Sequence, residues 1–88
     1  MKTAFKDSFL KDLEGVRSKS LKARLKKKIE LVEQAGELRE VSGIKKLQGA
    51  GQYYRIRIGD YRVGLLFDDN TVVFVRFLHR KDVYRYFP

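Results

Sequence analysis

The stretch YYRIRIGDYRVGLLF, Tyr53 to Phe67, decides how this chain folds. Apolar residues fall at every second position, the period of a strand with one buried face. Gly59-Asp60 interrupts the pattern, and a two-residue loop of this kind joins antiparallel strands. With that loop, Ile58 pairs with Tyr61, Arg57 with Arg62 and Arg55 with Gly64. Tyr54, Ile56, Ile58, Val63, Leu65 and Phe67 then face one side, toward the core. Arg55, Arg57, Arg62 and Gly64 face the other. Directly opposed like charges destabilise a sheet by up to ~1 kcal/mol per pair. Only Asp60 in the turn, and Asp68 and Asp69 beyond the far end, are at hand to offset them. The arginine face therefore reads as a groove for an anion, because guanidinium forks match phosphate oxygens. Gly64 fits that reading, since a missing side chain lets a ligand backbone approach. Tyr53, on the same face, is placed to stack on a base.

Downstream, Asp68 to Asn70 make a turn and TVVFVRFLHR, Thr71 to Arg80, makes a third strand. It is apolar at almost every position, as a strand covered on both faces would be. A two-residue turn at Asp69-Asn70 puts His79 on the face of Arg62. A turn over Asp68 to Asn70 puts Arg76 and Arg80 there instead. The closing KDVYRYFP is a short helix or an irregular tail.

Upstream, residues 36–52 form a glycine-rich connection with a short strand near Ile44 to Leu47. Before it, Met1 to Phe5 predict a short strand. Phe9, Leu10, Leu13 and Val16 then recur at helical spacing, with Asp7 or Ser8 as the cap. Gly15 and Ser18 mark a break. A second helix runs from about Ser18 to Ala35, with Leu21, Leu25, Ile29 and Val32 as its apolar stripe and Gly36 as its stop. The order is β-α-α-β-β-β. It predicts a single α+β domain over residues 1–88, with an N-terminal helical hairpin packed on a small antiparallel sheet.

Composition narrows the partners. The 88 residues hold 20 Lys+Arg against 11 Asp+Glu, a formal net charge of +9. Such an excess suits a polyanion: nucleic acid, an anionic surface or an acidic protein. The stretch RSKSLKARLKKK, Arg17 to Lys28, has seven basic residues and no acidic one. It is either a solvated helix face or a phosphate-contacting one. Without cysteine there are no disulfides, thiolate metal sites or thiol nucleophiles. No signal peptide or membrane span is visible, so a cytoplasmic protein without membrane association is expected. No cofactor motif or metal-ligand cluster stands out.

A basic groove beside a histidine and tyrosines is what RNA cleavage without a metal requires. The 2′-hydroxyl attacks the adjacent phosphate. One group takes its proton, another protonates the leaving 5′-oxygen, and cations stabilise the charge on phosphorus. Arginine does the last task but keeps its proton. His79 is the only histidine, a side chain that ordinarily titrates at about 6.5. Tyr84 and Tyr86 supply phenols, which ordinarily ionise near pH ~10.

YRIRIGDYRVGLLF followed by VVFVRFLHRKDVYRYF resembles the C-terminal half of the RelE-type toxins of bacterial toxin–antitoxin pairs. The shared pattern is a basic strand (Arg55, Arg57), a tight turn (Gly59-Asp60), a Tyr-Arg pair opening the next strand (Tyr61-Arg62), and a last strand running into His79-Arg80 and then Tyr84. The Lys-Leu-x-Gly segment from Lys46 to Gly49 and the basic helical hairpin extend the match over most of the chain. The resemblance implies a RelE-like α+β fold and a ribosome-dependent mRNA endonuclease that cuts the A-site codon, needs no cofactor, and is silenced by a cognate antitoxin. By position, Arg55, Arg57, Arg62 and Arg80 would hold the scissile phosphate, and His79 or Tyr84 would handle protons. Members with a proposed lysine base carry lysines where this chain has Arg55 and Arg57, which shifts weight to His79 and Tyr84, slightly favouring Tyr84. Lys45, Lys46, Tyr53, Arg76, Lys81 and Tyr86 are the expected RNA contacts. The wider superfamily includes ParE-type toxins, which act on DNA gyrase. A gyrase-directed toxin and a non-catalytic RNA-binding module are therefore the alternatives.

Overall fold

The computed structural model describes residues 1–49 and 51–88. Its elements run β1 (Lys2–Phe5), α1 (Asp7–Glu14), α2 (Lys19–Gln34), a 3-10 turn (Leu38–Glu40), β2 (Ile44–Lys46), β3 (Tyr53–Ile58), β4 (Tyr61–Asp68), β5 (Thr71–His79) and α3 (Arg80–Tyr86). The strands form one sheet in the order β1-β5-β4-β3-β2. The α+β architecture is the one the sequence predicts. The sheet is mixed, however, not purely antiparallel, because β1 lies parallel to β5. A parallel partner needs a long crossover, and the helical hairpin with β2 to β4 supplies it.

The hairpin register is the predicted one: Ile58 opposes Tyr61, Arg57 opposes Arg62 and Arg55 opposes Gly64. Positive φ at Gly59 but not at Asp60 is the type II′ pattern, whose twist matches the flanking strands. Asp69 and Asn70 both take positive φ, the type I′ pattern, so the next turn has two residues. Helices and sheet meet over Phe9, Val16, Leu25, Val32, Ile56, Ile58, Val63, Leu65, Val72, Phe74 and Phe77, all buried. Along β5 only Val72, Phe74 and Phe77 are buried, and the residues between them are half-exposed. The expectation of a strand closed on both faces is thus met on one face, because only the short α3 covers part of the other.

A bulge sets which side chains β5 offers. Leu65 opposes Phe74 but Gly64 opposes Arg76, so Val75 has no partner on β4. The extra residue shifts everything after it to the opposite face. His79 therefore pairs with Tyr61, on the core side, while Arg76 and Leu78 align with Gly64 and Arg62. The two-residue turn alone would have put His79 beside Arg62. The bulge cancels that.

The outer edge of β5 beyond β1 is closed by α1. The N–H of Lys6 donates to Phe74 O at 2.9 Å. Ser8 Oγ donates to Val75 O at 2.6 Å, and Asp12 accepts from the Phe77 N–H at 2.9 Å. These bonds replace the ladder that β1 no longer supplies. They also explain why neither Asp7 nor Ser8 caps α1: Lys6 is its N-cap, with no side-chain cap bond. Helix α2 is capped by Ser18, whose Oγ accepts from Leu21 N, and its C-cap is Ala35, so Gly36 follows just past its end as expected. Between α2 and β2, the N–H groups of Glu37 and Gly36 donate to the Glu40 carboxylate at 3.1 and 2.8 Å. They hold its pKa below the ordinary glutamate value.

Candidate nucleic-acid cleavage site

Arg55, Arg57 and Arg62 line one cleft of about 330 Å³, together with Gly43, Ile44, Lys45 and Tyr84. Three local features bring them together. The type II′ turn sets Arg57 against Arg62. Edge strand β2 lays Lys45 beside Arg55. Helix α3 folds back across the sheet and carries Tyr84 to the rim.

The arginines are held without neutralisation. Arg62 Nη1 donates to the carbonyls of Gly59 and Tyr61, both at 2.9 Å, which pins its guanidinium beside the turn. The Arg55 guanidinium lies 4.5 Å from the centre of the Tyr84 ring, a cation–π contact. Among the described residues, Arg55, Arg57 and Arg62 make no ion pair with a carboxylate. The charge of this face is left for something outside the chain.

The other sequence candidates divide. Arg80 stands at the hairpin turn: its N–H donates to Asp60 O at 2.7 Å and its Nε is 3.8 Å from the Asp60 carboxylate. Both side chains are well exposed, so this pair is weak. Arg80 and Tyr84 are four apart on α3 and share one side of it. His79 is the N-cap of α3, and its Nδ1 accepts from the Lys81 N–H at 3.1 Å. Its ring packs edge-on to Tyr61 at 5.4 Å, outside the arginine cleft. A histidine that accepts at Nδ1 carries its proton on Nε2, so taking another proton breaks the cap.

Of the expected RNA contacts, only Lys45 lines the cleft. Lys46 opposes Tyr54, so it points to the other face. Arg76 is occupied: Nε and Nη2 donate to the Asp12 carboxylate at 2.7 and 3.0 Å, and this bond holds the guanidinium proton more firmly than usual. Lys81 is exposed on the first turn of α3. Tyr86 is exposed, with the Arg76 and Arg85 guanidinium carbons 5.9 and 5.6 Å from its ring centre. Tyr53 is half-buried and packs against the Phe87 ring in a T-shaped pair at 5.5 Å, outside the arginine cleft. Gly64 also serves differently from expectation. A Cβ there would lie 2.7 to 2.8 Å from the Phe87 ring, which fills the space once assigned to a ligand.

Sequence reading missed Phe87 because a terminal aromatic has no periodicity to mark it. It also left the role of α2 open. Arg24 lies over the hairpin turn, its Nη1 2.9 Å from where a Gly59 Cβ would sit. Arg24, Lys28 and Arg57 line a further cleft of about 570 Å³ between α2 and the hairpin. The basic helix thus continues the arginine face. A cleft of about 660 Å³ on the other side of Ile44, beside Met1, Leu38, Tyr54 and Phe67, holds only Arg39 and Lys46 as cationic side chains, with Glu37 beside them.

Comparison with known proteins supplies the family. Residues 4–84 match the family model described as ParE toxin of type II toxin–antitoxin system, parDE. The chain is 42% identical to Toxin RelE3 of Methanocaldococcus jannaschii, over the full length of both. The chain belongs to the RelE/ParE superfamily of type II toxins. Its fold superposes on a chain of the RelB-RelE antitoxin–toxin complex from Methanococcus jannaschii with a TM-score of 0.83 and 40% identity, covering 97% of this chain and 99% of that chain. The archaeal RelE-RelB complex from Pyrococcus horikoshii OT3 gives 0.71 and 25%, covering 90% and 93%. In this toxin no helix among the described residues is long and apolar enough to cross a membrane.

Proposed function

We propose that the toxin is a ribosome-dependent mRNA endoribonuclease that acts in the cytoplasm, stops translation and is neutralised by an antitoxin. One observation carries the reading: three arginines without carboxylate partners share a cleft with the phenol of Tyr84. That set fits phosphodiester transfer by an internal nucleophile. The 2′-oxygen bonds to phosphorus as it passes its proton to the Tyr84 oxygen, the P–O5′ bond breaks, and the 5′-oxygen takes up a proton handed on by Tyr84 or by water. The product is a 2′,3′-cyclic phosphate. Arg55, Arg57 and Arg62, with Arg80 at the rim, stabilise charge on the phosphoryl oxygens. Tyr84 is the proton-transfer group: its phenol shares the cleft with the three arginines and its ring lies against Arg55, while the His79 Nδ1 lone pair is engaged as a helix cap. The antitoxin assignment is supported by the family and by the relatives solved with RelB.

A second reading follows from the description of the matching family model as ParE: a toxin that inhibits a protein such as gyrase without chemistry. Adding the toxin to a translating extract and mapping mRNA 5′ ends separates the two. Codon-spaced cuts that require ribosomes are expected. Intact mRNA together with arrested gyrase would favour the second reading.

A further inference from the structure

We infer that Phe87 is a positioning residue: seated on the bare backbone of Gly64, it sets Tyr84 over the arginine cleft. The consequence for cleavage rests on the nuclease reading above. The placement itself does not.

Gly64 is in mid-strand, where glycine weakens a sheet, and its φ is not in the left-handed region. Its backbone does not require glycine. What requires it is Phe87, three of whose ring atoms lie 2.7 to 2.8 Å from the position of a Cβ. Phe87 is 4% exposed and its N–H donates to Val83 O at 2.9 Å. Val83 is fully buried, and Tyr53 flanks the Phe87 ring on the β3 side. Val83 and Phe87, four apart, are therefore the buried side of α3.

Tyr84 has no such anchor. It is 78% exposed, and its ring lies against the Arg55 guanidinium, whose carbon is 4.5 Å from the ring centre. A seven-residue helix does not persist alone, so its location is set by what it buries. Gly64 is the cross-strand partner of Arg55. The seat and the guanidinium under Tyr84 thus belong to one residue pair of the sheet. A displaced Phe87 moves α3 away from the same pair that Tyr84 must reach.

The test uses the full-length toxin as wild type, Gly64→Ala, Phe87→Ala, Phe87→Leu and the Gly64→Ala/Phe87→Ala double variant. Two readouts are taken: the ring-current shift of the Arg55 side-chain protons by NMR, and single-turnover cleavage on programmed ribosomes. Gly64→Ala and Phe87→Ala are expected to keep a dispersed β-sheet spectrum and lose the upfield Arg55 shift. Cleavage falls at least ~10-fold, as expected when a reacting group is misplaced. Half-saturating ribosome concentration changes by less than about twofold, since ground-state binding is untouched. Phe87→Leu, which retains an apolar seat, recovers most of both signals. In the Phe87→Ala background, Gly64→Ala adds less than about twofold, because the clash partner is gone. A folded Gly64→Ala protein with the wild-type Arg55 shift would overturn the inference, and so would Phe87→Ala with that shift intact. If the wild type does not cut but the Arg55 shift still collapses in both variants, the nuclease reading fails and the seat stands.

Discussion

Arg62 holds its guanidinium against the carbonyls of Gly59 and Tyr61, opposite Arg57 and with no ion pair to a carboxylate among the described residues. Those bonds orient the fork before any ligand arrives, which is the condition for a charge-stabilising donor to act without reorganising. Arg62→Ala leaves the apolar face of the hairpin untouched, so the toxin should still fold. Its single-turnover cleavage rate should drop at least ~100-fold, the scale lost with one preorganised donor. The same substitution in a protein that only binds RNA would weaken binding and leave nothing to measure in cleavage. Lysine at this position should recover little, because a point charge does not reproduce the bidentate fork.

Asp12 shows how one side chain ties two elements together. It takes both Arg76 nitrogens and the Phe77 N–H, joining α1 to the edge of β5 just past the bulge. Asp12→Ala strands a half-buried guanidinium and a backbone donor. The urea midpoint should fall by an amount equivalent to about 2–3 kcal/mol. An unchanged midpoint would mean that the bulged edge is held by Ser8 and packing alone. This clasp also marks the limit of what the sequence could show. Alternation in Tyr53 to Phe67 gave the hairpin, its register and its arginine face, because period and turn residues are local signals. The bulge at Val75 has no local signal: TVVFVRFLH is apolar on both sides of it, so nothing in the strand says where the faces switch. The switch follows from Ser8 and Asp12, more than sixty residues away in sequence. Hence Arg55, Arg57 and Arg62 were legible as one face and Tyr84 joined them only through the family resemblance, whereas which face His79 takes and what covers Gly64 were not legible. The cover over Gly64 depended on where Phe87 comes to rest.

A net charge of +9 on 88 residues, with the basic face of α2 meeting the arginine cleft through Arg24, Lys28 and Arg57, gives the whole toxin one strongly cationic side. An antitoxin that covers it should carry an acidic segment and order on binding. Association should be fast at low salt and slow steeply as ionic strength rises, while dissociation changes little. An association rate indifferent to salt would place the antitoxin on the apolar surfaces instead. The central claim, however, is chemical: that the cleft cuts RNA and that Tyr84 moves the proton. It is tested most directly by comparing Tyr84→Phe and His79→Gln with wild type in single-turnover cleavage of mRNA on ribosomes. Removing the phenol hydroxyl keeps the ring over Arg55, so binding should hold while the rate falls ~100-fold or more, the size of a general acid–base contribution. His79→Gln should fall far less, losing only a helix cap. Wild-type cutting by Tyr84→Phe would contradict the account.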